Sequence, residues 1–156
     1  MSPEDRYGLD EETNPNQLAS VLGTFVPQWL VRRGLAVSVR TDRERYERGE
    51  AVEITVEIRN RLPLPVTLAT PQRRLWGWAV DGYLEASDET RHVDGQAGAL
   101  AFRGRERKRF VREWDGRIKH EGERTEWKRA TGDLEITAFV ALGADRPTDS
   151  TTIRIE

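Results

Sequence analysis

The sequence contains no cysteine, so disulfide bonds, thiolate metal ligands and a cysteine nucleophile are all excluded. Histidine is scarce as well, with His92 and His120 the two in the chain. A catalytic base needs an orienting partner and a nucleophile within reach, and neither histidine lies in a motif that supplies them. We therefore predict no catalytic residues, no metal site and no cofactor, and we expect a protein that is not an enzyme.

Long apolar runs are also missing. No stretch of roughly 18 or more apolar residues occurs, so a membrane-spanning helix is not expected. The first residues are acidic and contain no apolar segment, which argues against a secretory signal peptide. The net charge is −2, which gives no overall attraction to nucleic acid or to anionic membranes. These features favour a cytoplasmic location and predict that nucleic acid is not a partner.

The chain has 156 residues, of which 37% are hydrophobic and 33% charged, and this suits a single folded domain with a polar surface. Residues 1–15 are polar and acidic and are predicted to form a flexible tail. Residues 16–33 are predicted to form an apolar helical arm. Residues 34–156 are predicted to form the folded domain.

The predicted arm carries apolar residues at spacings of three and four, as one face of a helix does. Pro27 predicts a break, with a second short turn beginning there. Three placements stay open: against the domain, on another protein or subunit, or on a membrane surface. A membrane-surface helix normally carries more cations than the terminal pair Arg32 and Arg33. The candidate partner-binding residues on the arm are Leu18, Val21, Leu22, Phe25 and Trp29.

Residues 51–60 show the clearest strand pattern in the chain. Val52, Ile54, Val56 and Ile58 alternate with polar residues, as in a strand with one buried face. Further strands are predicted at 34–41, 66–70, 74–80, 83–86, 99–103, 105–114, 133–142 and 150–156, with a hairpin turn at 81–82 and a long loop at 115–131. The pattern indicates an all-β, immunoglobulin-like antiparallel β-sandwich of about seven to nine strands with a short N-terminal helical arm.

The order of several short motifs resembles the intracellular proteinase inhibitor (BsuPI-like) family. Tyr46, Gly49 and Glu50 precede an alternating strand that ends at Asn60, and the segments 78–82, 100–106, 110–115 and 132–134 follow. The resemblance covers roughly residues 35–155 and implies an immunoglobulin-like fold that binds a protease. It identifies no inhibitory residues, because no reactive-loop motif is present. The arm and the segment 115–131 lie outside the family pattern.

Two further sets of residues are candidates for partner binding. Arg105, Arg107 and Arg109 would share one face of a strand, where they would either protect a sheet edge or bind an anionic partner. The chain also has five tryptophans, most of which we expect in the core. Trp76 and Trp127, if exposed, would anchor a protein interface or stack on a sugar ring.

These features lead to a ranked set of functional hypotheses. The first is a non-enzymatic, cytoplasmic protein-interaction module, with inhibition of a protease as its most specific form. The alternative is an assembly or adaptor domain that docks through residues 16–31 on a second copy of itself, another subunit or a membrane-bound partner, which leaves peripheral membrane contact open. A carbohydrate- or anion-binding module ranks third.

Overall fold

The computed structural model describes residues 27–70, 75–86, 98–142 and 146–156. Within these residues it contains one helix, α1 (Gln28–Gly34), and twelve strands. The strands are β1 (Leu35–Thr41), β2 (Arg45–Tyr46), β3 (Val52–Asn60), β4 (Val66–Thr70), β5 (Trp76–Val80), β6 (Tyr83–Leu84), β7 (Gly98–Phe102), β8 (Arg107–Trp114), β9 (Arg117–His120), β10 (Glu126–Arg129), β11 (Gly132–Val140) and β12 (Thr148–Ile155). The predicted fold class, an all-β immunoglobulin-like sandwich with a short helix near its N-terminus, is confirmed.

Two main sheets form the sandwich. The first has the order β1-β3-β8, and all its pairs are antiparallel. The second has the order β2-β12-β11-β5-β6, and only the short β2 pairs in parallel, with β12. At one side β1 lies against β12 and β11, where the Val39 amide donates a hydrogen bond to Asp149 Oδ2 at 2.9 Å. Asp149 thus satisfies a donor on the edge strand of the first sheet.

Strand β3 is central, as its pattern predicts. Val52, Ile54, Val56 and Ile58 are fully buried between the sheets, and each contributes about 1.5–3 kcal/mol through loss of apolar surface from water. The largest fully buried side chains around them come from both main sheets and from β4 and β7: Tyr46, Phe102, Leu68, Val66, Ile136, Ile153 and Val80. The core therefore runs the length of the sandwich.

A two-stranded ribbon continues the β3–β8 pair of the first sheet beyond one end. Strand β4 follows β3 in the chain, and β8 follows β7. Strand β3 pairs with β8, and β4 pairs with β7. Regular pairing stops at residues 61–65, where two prolines remove backbone donors. On the other side of the ribbon, regular pairing is interrupted at residues 103–106, between β7 and β8. The ribbon turns here, which carries β4 and β7 into a sheet of their own.

Helix α1 begins directly after Pro27, where the sequence predicts a new turn. The amides of Leu30 and Val31 donate to the Pro27 carbonyl at 2.9 and 3.1 Å. Val31 is fully buried in the core, whereas Trp29 is 60% exposed. The helix therefore packs on the domain with one face and leaves the tryptophan in solvent. Residues 16–26 of the predicted arm, including Leu18, Val21, Leu22 and Phe25, lie outside the described residues.

The largest difference from the sequence prediction is in residues 115–131. This segment was predicted to be a loop, but it forms the antiparallel hairpin β9–β10, with a five-residue connection between the strands. Its residues are almost all charged or polar, so hydrophobic alternation gives no signal there. The short β2 is also absent from the strands that the sequence predicts. These short strands raise the strand number above the predicted range.

Candidate interaction surfaces

The arginine run does not form one continuous strand face. Arg107 and Arg109 alternate on the exposed side of β8. Arg105 lies in the turn before β8, with φ +64°. The turn needs glycine at position 104, because two backbones approach closely there and a Cβ on Gly104 would lie 2.6 Å from the carbonyl oxygen of Pro63. The prediction that all three arginines share a strand face is therefore wrong for Arg105.

A carboxylate on the neighbouring strand lies between the other two arginines. Glu57 of β3 is placed with Oε1 3.8 Å from Arg107 Nη1 and Oε2 3.8 Å from Arg109 Nη2. Both distances are longer than a hydrogen bond, and half-exposed ion pairs of this kind contribute little to stability. One carboxylate thus offsets part of the charge of two arginines.

An open pocket of about 230 Å³ lies beside this ion pair on the outer face of the first sheet. The register explains why there is space: β1 presents the small residues Ala36 and Ser38 opposite Arg59 and Glu57. The lining consists of Ala36, Val37, Ser38, Glu57, Arg59, Arg61 and Arg107. Sequence reasoning identified only Arg107 of the three arginines, because Arg59 and Arg61 join it only through strand pairing.

The tryptophans divide between core and surface. Trp78 and Trp114 are buried, and the Trp114 Nε1 donates to the Arg117 carbonyl at 2.8 Å. Trp76 is half-buried and stacks on Phe110, with ring centroids 4.5 Å apart and planes inclined by 25°. The Arg112 guanidinium lies 5.0 Å from the Trp76 ring centre. Of the two predicted interface tryptophans, Trp76 is thus packed within the molecule.

Trp127 differs, because its side chain is 56% exposed. It lies on β10, where all four side chains are exposed, and among the described strands β10 pairs only with β9. The hairpin is fastened to the domain through β9, since Ile118 is buried in the core and the Lys119 amide donates to the Ala86 carbonyl at 2.8 Å. Strand β10 is therefore an exposed sheet edge that carries a large aromatic side chain.

The hairpin connection encloses a second open pocket, of about 410 Å³, lined by His120, Glu121, Gly122, Glu123, Arg124 and Glu126. Despite these side chains, the described part of the chain contains no group of three or more histidine, aspartate or glutamate residues arranged to hold a metal ion. His120 makes an edge-to-face contact with Tyr83, with ring centroids 5.6 Å apart. It helps to pack the hairpin against β6.

Among the described residues, the carboxylates with clearly shifted pKa values, Asp42 and Glu50, lie elsewhere, at the corner formed by residues 42–50. The Tyr46 hydroxyl donates to Asp42 Oδ1 at 2.6 Å and lowers the pKa of Asp42. Burial raises the pKa of Tyr46. A hydrogen bond from the Glu47 amide and the Arg43 guanidinium together lower the pKa of Glu50. The Tyr46–Gly49–Glu50 motif is accounted for by this structural network.

A protein-family model, described as a family of unknown function (DUF7974), matches residues 23–156. The chain belongs to this family. The matched residues include α1 and the twelve strands of the described part of the chain. No curated protein sequence matches the chain significantly.

Solved structures similar to this DUF7974 protein include a β-glucosidase from Listeria innocua in complex with isofagomine. Its TM-score is 0.50 at 10% identity, over 78% of this chain and 16% of the β-glucosidase. The chain therefore spans about one sixth of that enzyme, and at this identity the likeness concerns the fold alone. The CARDB domain of the PF1109 protein from Pyrococcus furiosus gives a TM-score of 0.48 at 12% identity, over 78% of this chain and 91% of that domain. The alkylpurine DNA glycosylase AlkC from Pseudomonas fluorescens gives a TM-score of 0.49 at 13% identity, over 90% of this chain and 34% of the glycosylase chain.

No helix in the described part of the DUF7974 protein is long and apolar enough to cross a membrane.

Proposed function

We propose that this DUF7974 protein is a non-enzymatic protein-interaction module whose partner binds the β9–β10 hairpin. The observation that carries the proposal is the exposure of Trp127 on a strand whose side chains are all exposed. Trp78 and Trp114 belong to the buried core, whereas Trp127 does not, so its truncation should cost little folding stability. Tryptophan is the residue type most enriched at the energetic centres of protein interfaces, where truncation costs about 2 kcal/mol or more.

The geometry of β10 supports a particular mode of binding. An exposed edge strand presents free backbone donors and acceptors, and an extended segment of a partner can pair with them while pockets or aromatic side chains select its sequence. Glu126 and Lys128 flank Trp127 on the strand. Charged side chains on an edge restrict indiscriminate pairing, so the partner strand must complement both signs of charge.

The resemblance to intracellular proteinase inhibitors makes a protease the first class of partner to test, and it favours a cytoplasmic location. Nucleic acid is not proposed as a partner, because base stacking on single-stranded chains needs several aromatic platforms among the cations. In the arginine run only Phe110 is aromatic, and it is stacked on Trp76.

The experiment compares the intact chain with Trp127→Ser and Trp29→Ser as baits against cell extract from its source and in inhibition assays with a panel of proteases. Both tryptophans are more than half exposed, so the two substitutions are matched in chemistry and in their small effect on folding. We expect a partner that is captured, or a protease that is inhibited, by the wild type and Trp29→Ser but not by Trp127→Ser. Equal binding by all three chains would overturn the proposal.

A second candidate function is assembly through the N-terminal arm, and the exposure of Trp29 on α1 favours it. The Arg33 guanidinium lies 5.9 Å from the Trp29 ring centre, so this face of the helix is an aromatic and cationic surface. Light scattering of the full chain and of Trp29→Ser tests it, and a dimer that dissociates on substitution is the expected result. A chain beginning at Gly34 is a poor probe because it lacks the buried Val31, whereas one beginning at Pro27 retains it. A monomeric wild type would exclude assembly with a second copy of the chain.

A further inference from the structure

We propose that the pocket on the outer face of the first sheet binds a small oxyanion, a phosphate or carboxylate group. The pocket lies on β1, β3 and β8 and on Arg61 directly after β3, so it is distinct from the hairpin surface. The proposal stands independently of the partner-binding function.

The first argument is the charge of the pocket. Arg59, Arg61 and Arg107 line it together with a single carboxylate, that of Glu57. Glu57 is already placed between Arg107 and Arg109. Neither Arg59 nor Arg61 forms an ion pair with any described residue. Two guanidinium groups at the same opening therefore have no ion-pair partner among the described residues.

The second argument is the register. Arg59 and Arg107 are directly opposite each other on β3 and β8. Like charges at opposed positions of an antiparallel pair destabilise the sheet. An oxyanion bound between the two guanidinium groups would convert this repulsion into two charge-assisted interactions. The arrangement therefore has a cost in the free protein that a ligand would relieve.

The third argument is an unpaired donor. Arg59 Nε is buried and has no hydrogen-bond partner among the described residues. A buried donor without a partner costs about 1–3 kcal/mol. Arginine commonly binds phosphate or carboxylate through two parallel N–H bonds. A shift of the Arg59 side chain on binding would bring Nε and one Nη to the oxyanion and satisfy this donor. The Ser38 hydroxyl, on the wall of the pocket, adds a neutral donor.

The test is a titration of the full chain with inorganic phosphate and, separately, with acetate, at constant ionic strength maintained with chloride. The signals to follow are the backbone amides of Ser38 and Arg59 and the Arg59 Nε–H in nitrogen-15 NMR spectra. We expect a saturable shift of these signals with one of the two anions, and the anion that saturates identifies whether the ligand is tetrahedral phosphate or planar carboxylate. Shifts that stay linear with both anions, as general ionic screening would give, overturn the proposal.

Variants locate the site. Arg61→Gln should weaken binding at least roughly tenfold, which is the change expected when one charge-assisted contact is lost. Arg61 has an exposed side chain and uses its backbone amide, not its side chain, to bond Gly34, so this variant keeps the fold. Arg45→Gln is the matched control, because Arg45 is exposed at the edge of the second sheet. Equal weakening by both substitutions would show a general charge effect and contradict the assignment.

Discussion

At the scale of single residues, Asn60 shows how one polar side chain holds an irregular region. It is completely buried at the bend between β3 and β4. Its Nδ2 donates to the carbonyls of Leu64 and Arg103 at 2.8 and 2.9 Å, and its Oδ1 accepts from the Leu62 amide at 3.0 Å. The interrupted strands leave backbone groups without ladder partners, and the amide side chain supplies those partners.

We predict that Asn60→Ala lowers the free energy of unfolding by about 2–4 kcal/mol, because two carbonyls and one amide lose their partner in the interior. Urea denaturation followed by tryptophan fluorescence measures the change. Thr137→Ala is the control, since Thr137 also loses a side-chain hydrogen bond, to Ser150 at 2.9 Å, but at an exposed position. A loss no larger for Asn60→Ala than for this control would show that the bend does not depend on the asparagine.

At the scale of elements, the sequence predicts a strand best where burial imposes a pattern. The alternation of Val52 to Ile58 predicts β3, and the Asp81–Gly82 pair predicts the tight hairpin of β5 and β6. Both turn residues take positive φ, 46° and 83°, as a type I′ turn requires. The cross-strand pairs Val80–Tyr83 and Ala79–Leu84 follow from that turn.

The β9–β10 hairpin could not be predicted in the same way, because most of its side chains face water. Its pairing depends on backbone hydrogen bonds and on one buried anchor, Ile118. A five-residue connection containing Gly122 is the one local signal that favours a hairpin. The arginine pocket was missed for a related reason: Arg59 and Arg107 are distant in sequence, and only the register of β3 with β8 brings them together.

The β9–β10 hairpin yields a prediction that distinguishes a residue needed for stability, Ile118, from one proposed to bind a partner, Trp127. Ile118→Ala should destabilise the protein by about 2 kcal/mol, because it removes buried methyl groups from the core. Trp127→Ser should change stability by less than about 0.5 kcal/mol, as exposed substitutions do. Chemical denaturation of both variants measures the two values. If Trp127→Ser were as costly as Ile118→Ala, Trp127 would be a structural residue and the proposed interface would lose its main support.

At the scale of the whole molecule, the corner at residues 42–50 joins the two main sheets. Tyr46 belongs to β2, whose partner in the second sheet is β12. Asp42 follows β1, and its Oδ1 accepts both the Tyr46 hydroxyl at 2.6 Å and the Glu53 amide of β3 at 3.0 Å. One carboxylate oxygen thus links the sheets through a hydroxyl and a strand amide. The charge of Asp42 strengthens both bonds.

This link makes the stability of the sandwich depend on pH. The pKa values of Asp42 and Glu50 are lowered in the folded protein from ordinary values of 3.8 and 4.5. The unfolded chain therefore takes up protons first as pH falls, and the stability that the corner contributes is complete above those ordinary values and is lost as pH falls through the lower folded values. The pKa of Tyr46 is raised from 10.0, so its contribution is complete below pH 10 and is lost only as pH rises through the folded pKa.

We predict that Tyr46→Phe removes the main cause of the lowered Asp42 pKa and so makes the protein less sensitive to acid. At about pH 7 the variant should be less stable than the wild type by about 2 kcal/mol, because the hydroxyl both donates to Asp42 and accepts from the Arg43 amide at 2.9 Å, and both hydrogen bonds are lost. The difference should shrink as the pH falls below the ordinary value of 3.8, because protonation of Asp42 at its lowered pKa weakens the bond in the wild type as well. Thermal melting at stepped pH values measures this convergence. Tyr83→Phe, which removes a hydroxyl outside this corner, is the control and should show no such convergence. If the stability difference between the wild type and Tyr46→Phe stayed constant with pH, protonation of Asp42 would not be what weakens the link between the sheets in acid.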